Sequence, residues 1–163
     1  MLDDNTTYMQ YAIREAERAL DVGEVPVGCV IIHEGQIVGK AHNQRETLQD
    51  PTAHAEILAI TQAADHFGSW RLEGAKLYVT LEPCPMCAGA IILARIAEVY
   101  FGATDPKAGC VGTLMNLLED TRFNHNPRVT PGLLADECGA LLTDFFRTIR
   151  QNQQQTNNNG KQN

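Results

Sequence analysis

The stretch AKLYVTLEPCPMCAGAIILARIAEVYFG, residues 75–102, decides the fold. Residues 75–81 form an apolar run of strand length. Residues 84–95 read as a helix, with Pro85 tolerated in the first turn, where an N–H would go unpaired anyway. Residues 98–102 return to strand character. Outward from here the alternation continues. Upstream, Met9, Ala12, Ile13, Ala16, Ala19 and Leu20 fall at helical offsets, so residues 6–22 read as an amphipathic helix stopped by Gly23. Residues 27–33 are a nearly continuous apolar run, a buried strand, and residues 36–41 pair with it across a Glu34-Gly35 turn. Residues 43–51 are polar and loop-like. Thr52 is placed to cap a helix beginning near His54, with Ile57, Leu58, Ile60 and Ala64 on its apolar side. Downstream, residues 113–118 read as a short helix, residues 128–130 as a brief fifth strand, and residues 133–150 as a long terminal helix. Strands alternating with helices predict an α/β fold: a three-layer α/β/α sandwich around a central mixed five-stranded sheet. One domain spans residues 1–150. Residues 151–163, almost all Gln, Asn and Thr, form a polar low-complexity tail expected to be disordered.

The same stretch carries the chemistry. Pro83-Cys84-Pro85-Met86-Cys87 holds a Cys-x-x-Cys pair, and His54-Ala55-Glu56 lies upstream. One His and two Cys are ligands zinc accepts, and a site of three protein ligands keeps its fourth tetrahedral position open for water. A structural site closes that position with a further Cys or His. Glu56 is not needed as a ligand and is placed to move protons. The order His-x-Glu then Pro-Cys-x-x-Cys is that of the zinc nucleobase deaminases, which points to metal-assisted hydrolytic loss of an amine. In this reading His54, Cys84 and Cys87 hold one zinc and Glu56 shuttles protons. Both predicted helices start at these residues. A helix N-terminus favours thiolate over thiol and neutral over protonated His, the deprotonated forms a metal needs. The two helices are therefore expected to meet at their starts with zinc between them. The alternatives are a small structural zinc site, a Glu56 favoured only by the helix dipole, and a thioredoxin-like redox pair. Pro83 and the His-x-Glu weaken the last.

The chain of 163 residues is long enough for one domain with a real core. Its 44% hydrophobic and 20% charged residues are those of a soluble globular protein. No apolar run approaches the roughly 20 residues that cross a bilayer, so no membrane association is expected. The acidic, polar start, Met1-Leu2-Asp3-Asp4-Asn5, has no signal-peptide character, and the expected location is cytoplasmic. Cys29, Cys110 and Cys138 sit among apolar or small residues and read as buried, inert thiols. The net charge of −7 argues mildly against a nucleic-acid partner, whose phosphates dominate such affinity. Arg122, Arg128, Arg147, Arg150 and Lys161 nevertheless leave a more basic C-terminal stretch, interrupted by Asp136, Glu137 and Asp144.

Longer segments narrow the reading. Thr80-Leu81-Glu82-Pro83-Cys84-Pro85-Met86-Cys87-Ala88-Gly89-Ala90 resembles the zinc segment of the bacterial tRNA adenosine deaminase family. So do Glu24-Val25-Pro26-Val27-Gly28, Asp50-Pro51-Thr52-Ala53-His54-Ala55-Glu56 and Leu134-Ala135-Asp136-Glu137-Cys138. Phe101-Gly102-Ala103-Thr104-Asp105-Pro106-Lys107, followed by Gly112-Thr113-Leu114-Met115-Asn116, is similar too. The resemblance runs from about residue 6 to residue 150 in the family's order. It implies the cytidine deaminase-like fold, a homodimer with one zinc per subunit, and deamination of adenosine to inosine at the wobble position of an arginine tRNA. It implies that Asn43 contacts the base, that Val25 and Pro26 wall the base pocket, and that Asp105 lies near the flipped anticodon nucleotide. It places Phe145, Phe146 and Arg147 near the tRNA.

Several of those residues also have a plainer reading. Asn43 and Asp105 are common turn formers. The adjacent Phe residues suit a core, and Arg147 and Arg150 suit a helix C-terminus. The chain also departs from the family. Gln and Asn fill the tail that relatives make strongly basic, and Thr104 stands where an Arg often precedes the Asp. Weaker or more salt-sensitive tRNA binding is the expectation. A free-base or nucleoside deaminase, for guanine or cytosine, is the alternative enzyme. A catalytically silent zinc-binding dimer is the alternative outside enzymology, and Glu56 argues against it.

Overall fold

The computed structural model describes residues 2–160. Its strands are β1 (Gly28–His33), β2 (Gln36–His42), β3 (Lys76–Leu81), β4 (Glu98–Ala103) and β5 (Arg128–Thr130). They form one mixed sheet in the order β2-β1-β3-β4-β5. β1 runs antiparallel to both β2 and β3, whereas β3, β4 and β5 run parallel. The hairpin between β1 and β2 turns on Glu34 and Gly35, both left-handed at φ 51° and 76°. A two-residue turn of that hand matches the twist of the paired strands.

The helices are α1 (Asp4–Asp21), the single turn α2 (Arg45–Leu48), α3 (Ala55–Phe67), α4 (Pro85–Ala94) and α5 (Ala135–Asn159). Side chains alternate across the strands, so the three central strands β1, β3 and β4 feed two cores. Cys29, Ile31, Leu77, Val79, Val99 and Phe101 pack with Ala55, Ala59 and Ala63 of α3 and Ala88 and Ile91 of α4. Val30, Ile32, Tyr78 and Tyr100 pack on the opposite face with Met9, Ala12 and Ile13 of α1 and Cys138 of α5. Helices therefore cover both faces, giving the expected three layers. Close approach depends on small residues. A Cβ at Gly28 would overlap the backbone of Ala12 and Ala16, and one at Gly102 would overlap Cys138.

The structure corrects the sequence reading in four places. Thr52 does not cap α3; its hydroxyl donates to Asp50 Oδ1 (2.7 Å), and His54 itself is the N-cap. Residues 43–51 are not all loop, since they contain α2. Residues 113–118 do not form a helix. Val111 bridges Asn116, and the only helical turn nearby is the 3-10 turn Leu117–Glu119. The Thr113 N–H and hydroxyl are spent on the Glu82 carboxylate, which holds the chain in a loop. The terminal helix does not stop at Arg150, and residues 151–159 are helical where disorder was expected. Gln is a good helix former, and extending an existing helix avoids the cost of nucleating one. Residues 161–163 of the expected tail lie outside the described residues. Among those described, no helix is long and apolar enough to cross a membrane.

Gly28→Ala is expected to cost about 1–3 kcal/mol, because the added methyl forces α1 off β1. The check is a lower urea midpoint at unchanged slope. Among the described residues, truncation after Arg150 removes only exposed side chains, and it is expected to leave that midpoint in place.

Candidate metal centre and substrate cleft

His54 and Cys84 hold equivalent positions at the starts of α3 and α4. Each is an N-cap with extended backbone (φ −76°, ψ 151° and φ −74°, ψ 175°), and neither side chain caps its own helix. The donor atoms are thereby free to face one another. Pro85 begins α4, and Cys87 lies one turn in. His54 Nδ1 stands 3.6 Å from Cys84 Sγ and 3.5 Å from Cys87 Sγ, and all three donor atoms lie within 4.8 Å of one another. In a tetrahedron with ordinary Zn–S and Zn–N bonds the nitrogen–sulfur edge is about 3.6 Å. Separation and donor chemistry both fit zinc.

The donors share protons unequally. The hydrogen bond with Cys87, then that with His54, lowers the Cys84 thiol to about 4 against the opposing effect of burial. The same bond with Cys84, together with burial, pushes Cys87 far up. A metal binding both sulfurs displaces the proton held by Cys87. Glu56 lies in the first turn of α3 and is 4% exposed. Burial raises its carboxyl above the ordinary range, while Cys87 and His54 pull the other way. A carboxyl poised in this manner beside a metal site suits general acid–base work.

These groups sit in a cleft of about 680 Å³. Val25, Val27 and Asn43 line one side and Thr104–Ala108 another, and α5 contributes Leu142, Phe146 and Arg150. Residues 139, 142, 143, 146 and 150 share one helical face at offsets of three, four, seven and eleven. Arg45, Lys107 and Arg150 bring three cations to the lining of a chain whose net charge is −7.

Residues 3–150 match the MafB19-like deaminase family. A tRNA-specific adenosine deaminase of Bacillus subtilis (strain 168) is 58% identical over 143 residues, spanning 88% of this chain and 89% of its own. A solved structure from work on A-to-I editing by tRNA:A34 deaminases at the wobble position of transfer RNA is similar at TM-score 0.81 and 43% identity. That match covers 84% of this chain and 99% of the other. The chain belongs to the tRNA-specific adenosine deaminase family. Its sandwich is the cytidine deaminase-like fold. A guanine deaminase from Bacillus subtilis is less similar, with TM-score 0.60 and 38% identity over 63% of this chain and 66% of that one.

Four of the six substrate-contact residues expected in this deaminase line the cleft: Val25, Asn43, Asp105 and Phe146. Pro26 is buried and does not line it. Arg147 points elsewhere, pairing with Asp144 at 3.3 Å, because one residue past Phe146 turns the helix by about 100°. Arg150 takes the place on the cleft face. Phe145 is half-buried and meets Phe146 edge-on at 5.4 Å. Asn43 and Asp105 keep turn-forming bonds as well. Asn43 Oδ1 accepts from the Arg45 N–H at 3.4 Å, and Asp105 Oδ1 accepts from the N–H groups of Lys107 (2.9 Å) and Ala108 (3.2 Å).

Two buried carboxylates escaped the sequence reading as anything but family resemblance. Glu24, 1% exposed, accepts from the Thr47 N–H (2.6 Å) and hydroxyl (2.9 Å), fastening α2 beside the cleft. Glu82, 2% exposed, accepts four hydrogen bonds from residues 105–113. Burial works to raise its carboxyl, but those donors outweigh burial and hold it below the ordinary range. The one available signal was position: each Glu directly precedes a cleft or ligand segment.

In protein kept metal-free by a chelator, iodoacetamide is expected to modify Cys84 well before Cys87. The Cys84 rate should stay nearly flat from pH 6 to 8, since that thiol already titrates at about 4. Peptide mass spectrometry reads the order of modification, and added zinc should protect both.

Proposed function

We propose that this chain deaminates the adenosine at the wobble position of an arginine tRNA to inosine, releasing ammonia. The observation that carries the reading is the buried Glu56 beside the His54–Cys84–Cys87 donor set, in a cleft lined by three cations. Membership of the tRNA-specific adenosine deaminase family supports the choice of substrate.

Zinc, when bound, supplies the Lewis acidity that makes a water nucleophilic near neutral pH. His54, Cys84 and Cys87 are its ligands, one ion per subunit. Glu56 takes a proton from the attacking water and gives it to the ring nitrogen next to the reacting carbon. It then carries the water's second proton to the exocyclic amine. The water oxygen stays on the ring carbon, and the carbon–nitrogen bond to the amine breaks. One carboxylate serves both transfers because each returns it to the form the next requires. Asn43 offers an amide to the purine edge, and Val25 supplies an apolar wall. An anticodon loop suits the cleft because its bases unstack at little cost. Arg45, Lys107 and Arg150 meet the flanking phosphates. Asp105 and Phe146 face the neighbouring nucleotides.

The active unit in this reading is a homodimer working in the cytoplasm. Its interface is α4 together with residues 114–115 of the loop after β4. α4 is apolar around its whole circumference and leaves Leu93 69% exposed, while Leu114 and Met115 are 58% and 59% exposed. Apolar surface of that kind marks an interface.

The deciding assay offers an arginine tRNA anticodon stem-loop, free guanine and cytidine, and measures ammonia and inosine. Turnover of a free base or nucleoside alone would sink the tRNA assignment. Glu56→Ala is expected to keep its zinc and lose about a hundredfold to ten-thousandfold in kcat, since proton transfer contributes roughly 10²–10⁴. Binding to the stem-loop is expected to weaken with salt at a log–log slope near −2, about −0.7 for each of three cations. Arg150→Ala should flatten that slope by roughly one third.

A further inference from the structure

Glu82 follows β3 and precedes the Pro83-Cys84 turn, yet every hydrogen bond its carboxylate accepts comes from one distant loop. Oε1 accepts from the Asp105 N–H (3.2 Å) and the Thr113 hydroxyl (2.5 Å). Oε2 accepts from the N–H groups of Val111 (3.0 Å) and Thr113 (3.2 Å). The loop closes tightly around it, since a Cβ at Gly109 would overlap the carboxylate. The same loop presents Thr104, Asp105, Pro106, Lys107 and Ala108 to the cleft. Its own internal bonds, from the Lys107 and Ala108 amides to Asp105, make the wall stiff without tying it to the sheet. We propose that Glu82 is a positioning residue that sets the place of the 104–113 wall, and so determines how firmly the cleft holds RNA. This rests on the reading of the cleft as an RNA site.

The side chain's chemistry makes the role specific. An ionised carboxylate is acceptor only, with room for four donors. Gln at this position has a single acceptor oxygen. In one orientation its NH2 group faces the Asp105 N–H; in the other it faces the N–H groups of Val111 and Thr113. Either way a main-chain donor, part-buried at Asp105 or fully buried at Val111, is left opposed by another donor, which costs more than losing a bond to water. Asp is shorter by a methylene and cannot reach all four donors.

The test compares wild type, Glu82→Gln and Thr113→Val for zinc content, kinetics on the anticodon stem-loop, and amide hydrogen exchange. Glu82→Gln is expected to keep one zinc per chain and to raise KM on the order of tenfold, the effect of one or more opposed main-chain donors. Its kcat is expected to stay within about twofold, the split that marks lost binding with intact chemistry. The amides of Asp105, Val111 and Thr113 should exchange on the order of tenfold faster. Thr113→Val, which deletes only the hydroxyl bond, should move KM and exchange in the same direction by less. It carries the test alone if Glu82→Gln does not fold. Loss of zinc, a fall in kcat at unchanged KM, or unaltered exchange at those amides overturns the proposal. Failure of wild type to act on the stem-loop would instead strike the RNA reading, and the exchange data would still decide whether Glu82 holds the wall.

Discussion

Three donor atoms converge because α3 and α4 begin side by side at one end of the sheet, and most of the architecture serves that coincidence. β3 runs directly into α4, and the parallel return to β4 fixes where α4 must start. α3 reaches the same end by a different route, through the hairpin and the loop after β2. The two N-caps then present Nδ1 of His54 and Sγ of Cys84 toward each other. Small residues set the spacing. Ala55, Ala59 and Ala63 let α3 lie flat on the sheet, and a Cβ at Gly39 would strike the Ala59 carbonyl. A shift of one ångström at either helix would spoil the tetrahedral edges, so the core's packing is part of the metal site.

The same end of the sheet shows how surroundings split one residue type into two tasks. Glu56 and Glu82 are equally buried, 4% and 2% exposed, yet their carboxyls shift in opposite directions. Burial dominates at Glu56, and its proton becomes easier to keep. At Glu82 burial pushes the same way, but four donors around the two oxygens reverse the sign. One carboxyl keeps its proton more readily than an ordinary Glu, and the other stays anionic as a strut. Exchanging their environments, with no change of sequence at either position, would exchange their roles.

Much of this was legible along the chain because it depends on local period and ligand spacing. Strand alternation at 27–33 and 98–102, and the placement of His54, Cys84 and Cys87 at helix starts, follow from neighbours a few residues apart. What stayed hidden depends on distant partners. Thr113 looks like a helix start until Glu82, 31 residues earlier, claims both of its donors. Thr52 looks like a cap until Asp50 takes its hydroxyl. Arg147 and Arg150 are indistinguishable by composition, and only the phase of α5 relative to Gly139 and Leu142 decides which one enters the cleft. The helical 151–159 segment failed a compositional argument for a related reason. A polar run is judged unable to fold by itself, but here it merely prolongs a helix whose first turns are already anchored by Cys138.

Charge makes the same point about scale. A net of −7 describes the molecule at distances beyond the screening length, roughly 8 Å in physiological salt, where an RNA would feel repulsion only weakly. Inside that distance the cleft's own groups decide, and its three cations share the lining with the carboxyl groups of Glu56, Glu82 and Asp105. Arg45, Lys107 and Arg150 line it, while the acidic residues of α1 lie on the far side of the sheet from α3 and α4. The neutral Gln and Asn of the extended α5 neither add to this field nor oppose it. Affinity for a polyanion then hangs on three side chains, carried by three different segments, and on the loops that aim them. Such a site is weaker than a basic tail would make it, and more dependent on the geometry of its walls. That dependence is why the buried carboxylates that hold those walls, Glu24 at α2 and Glu82 at residues 104–113, matter to substrate binding.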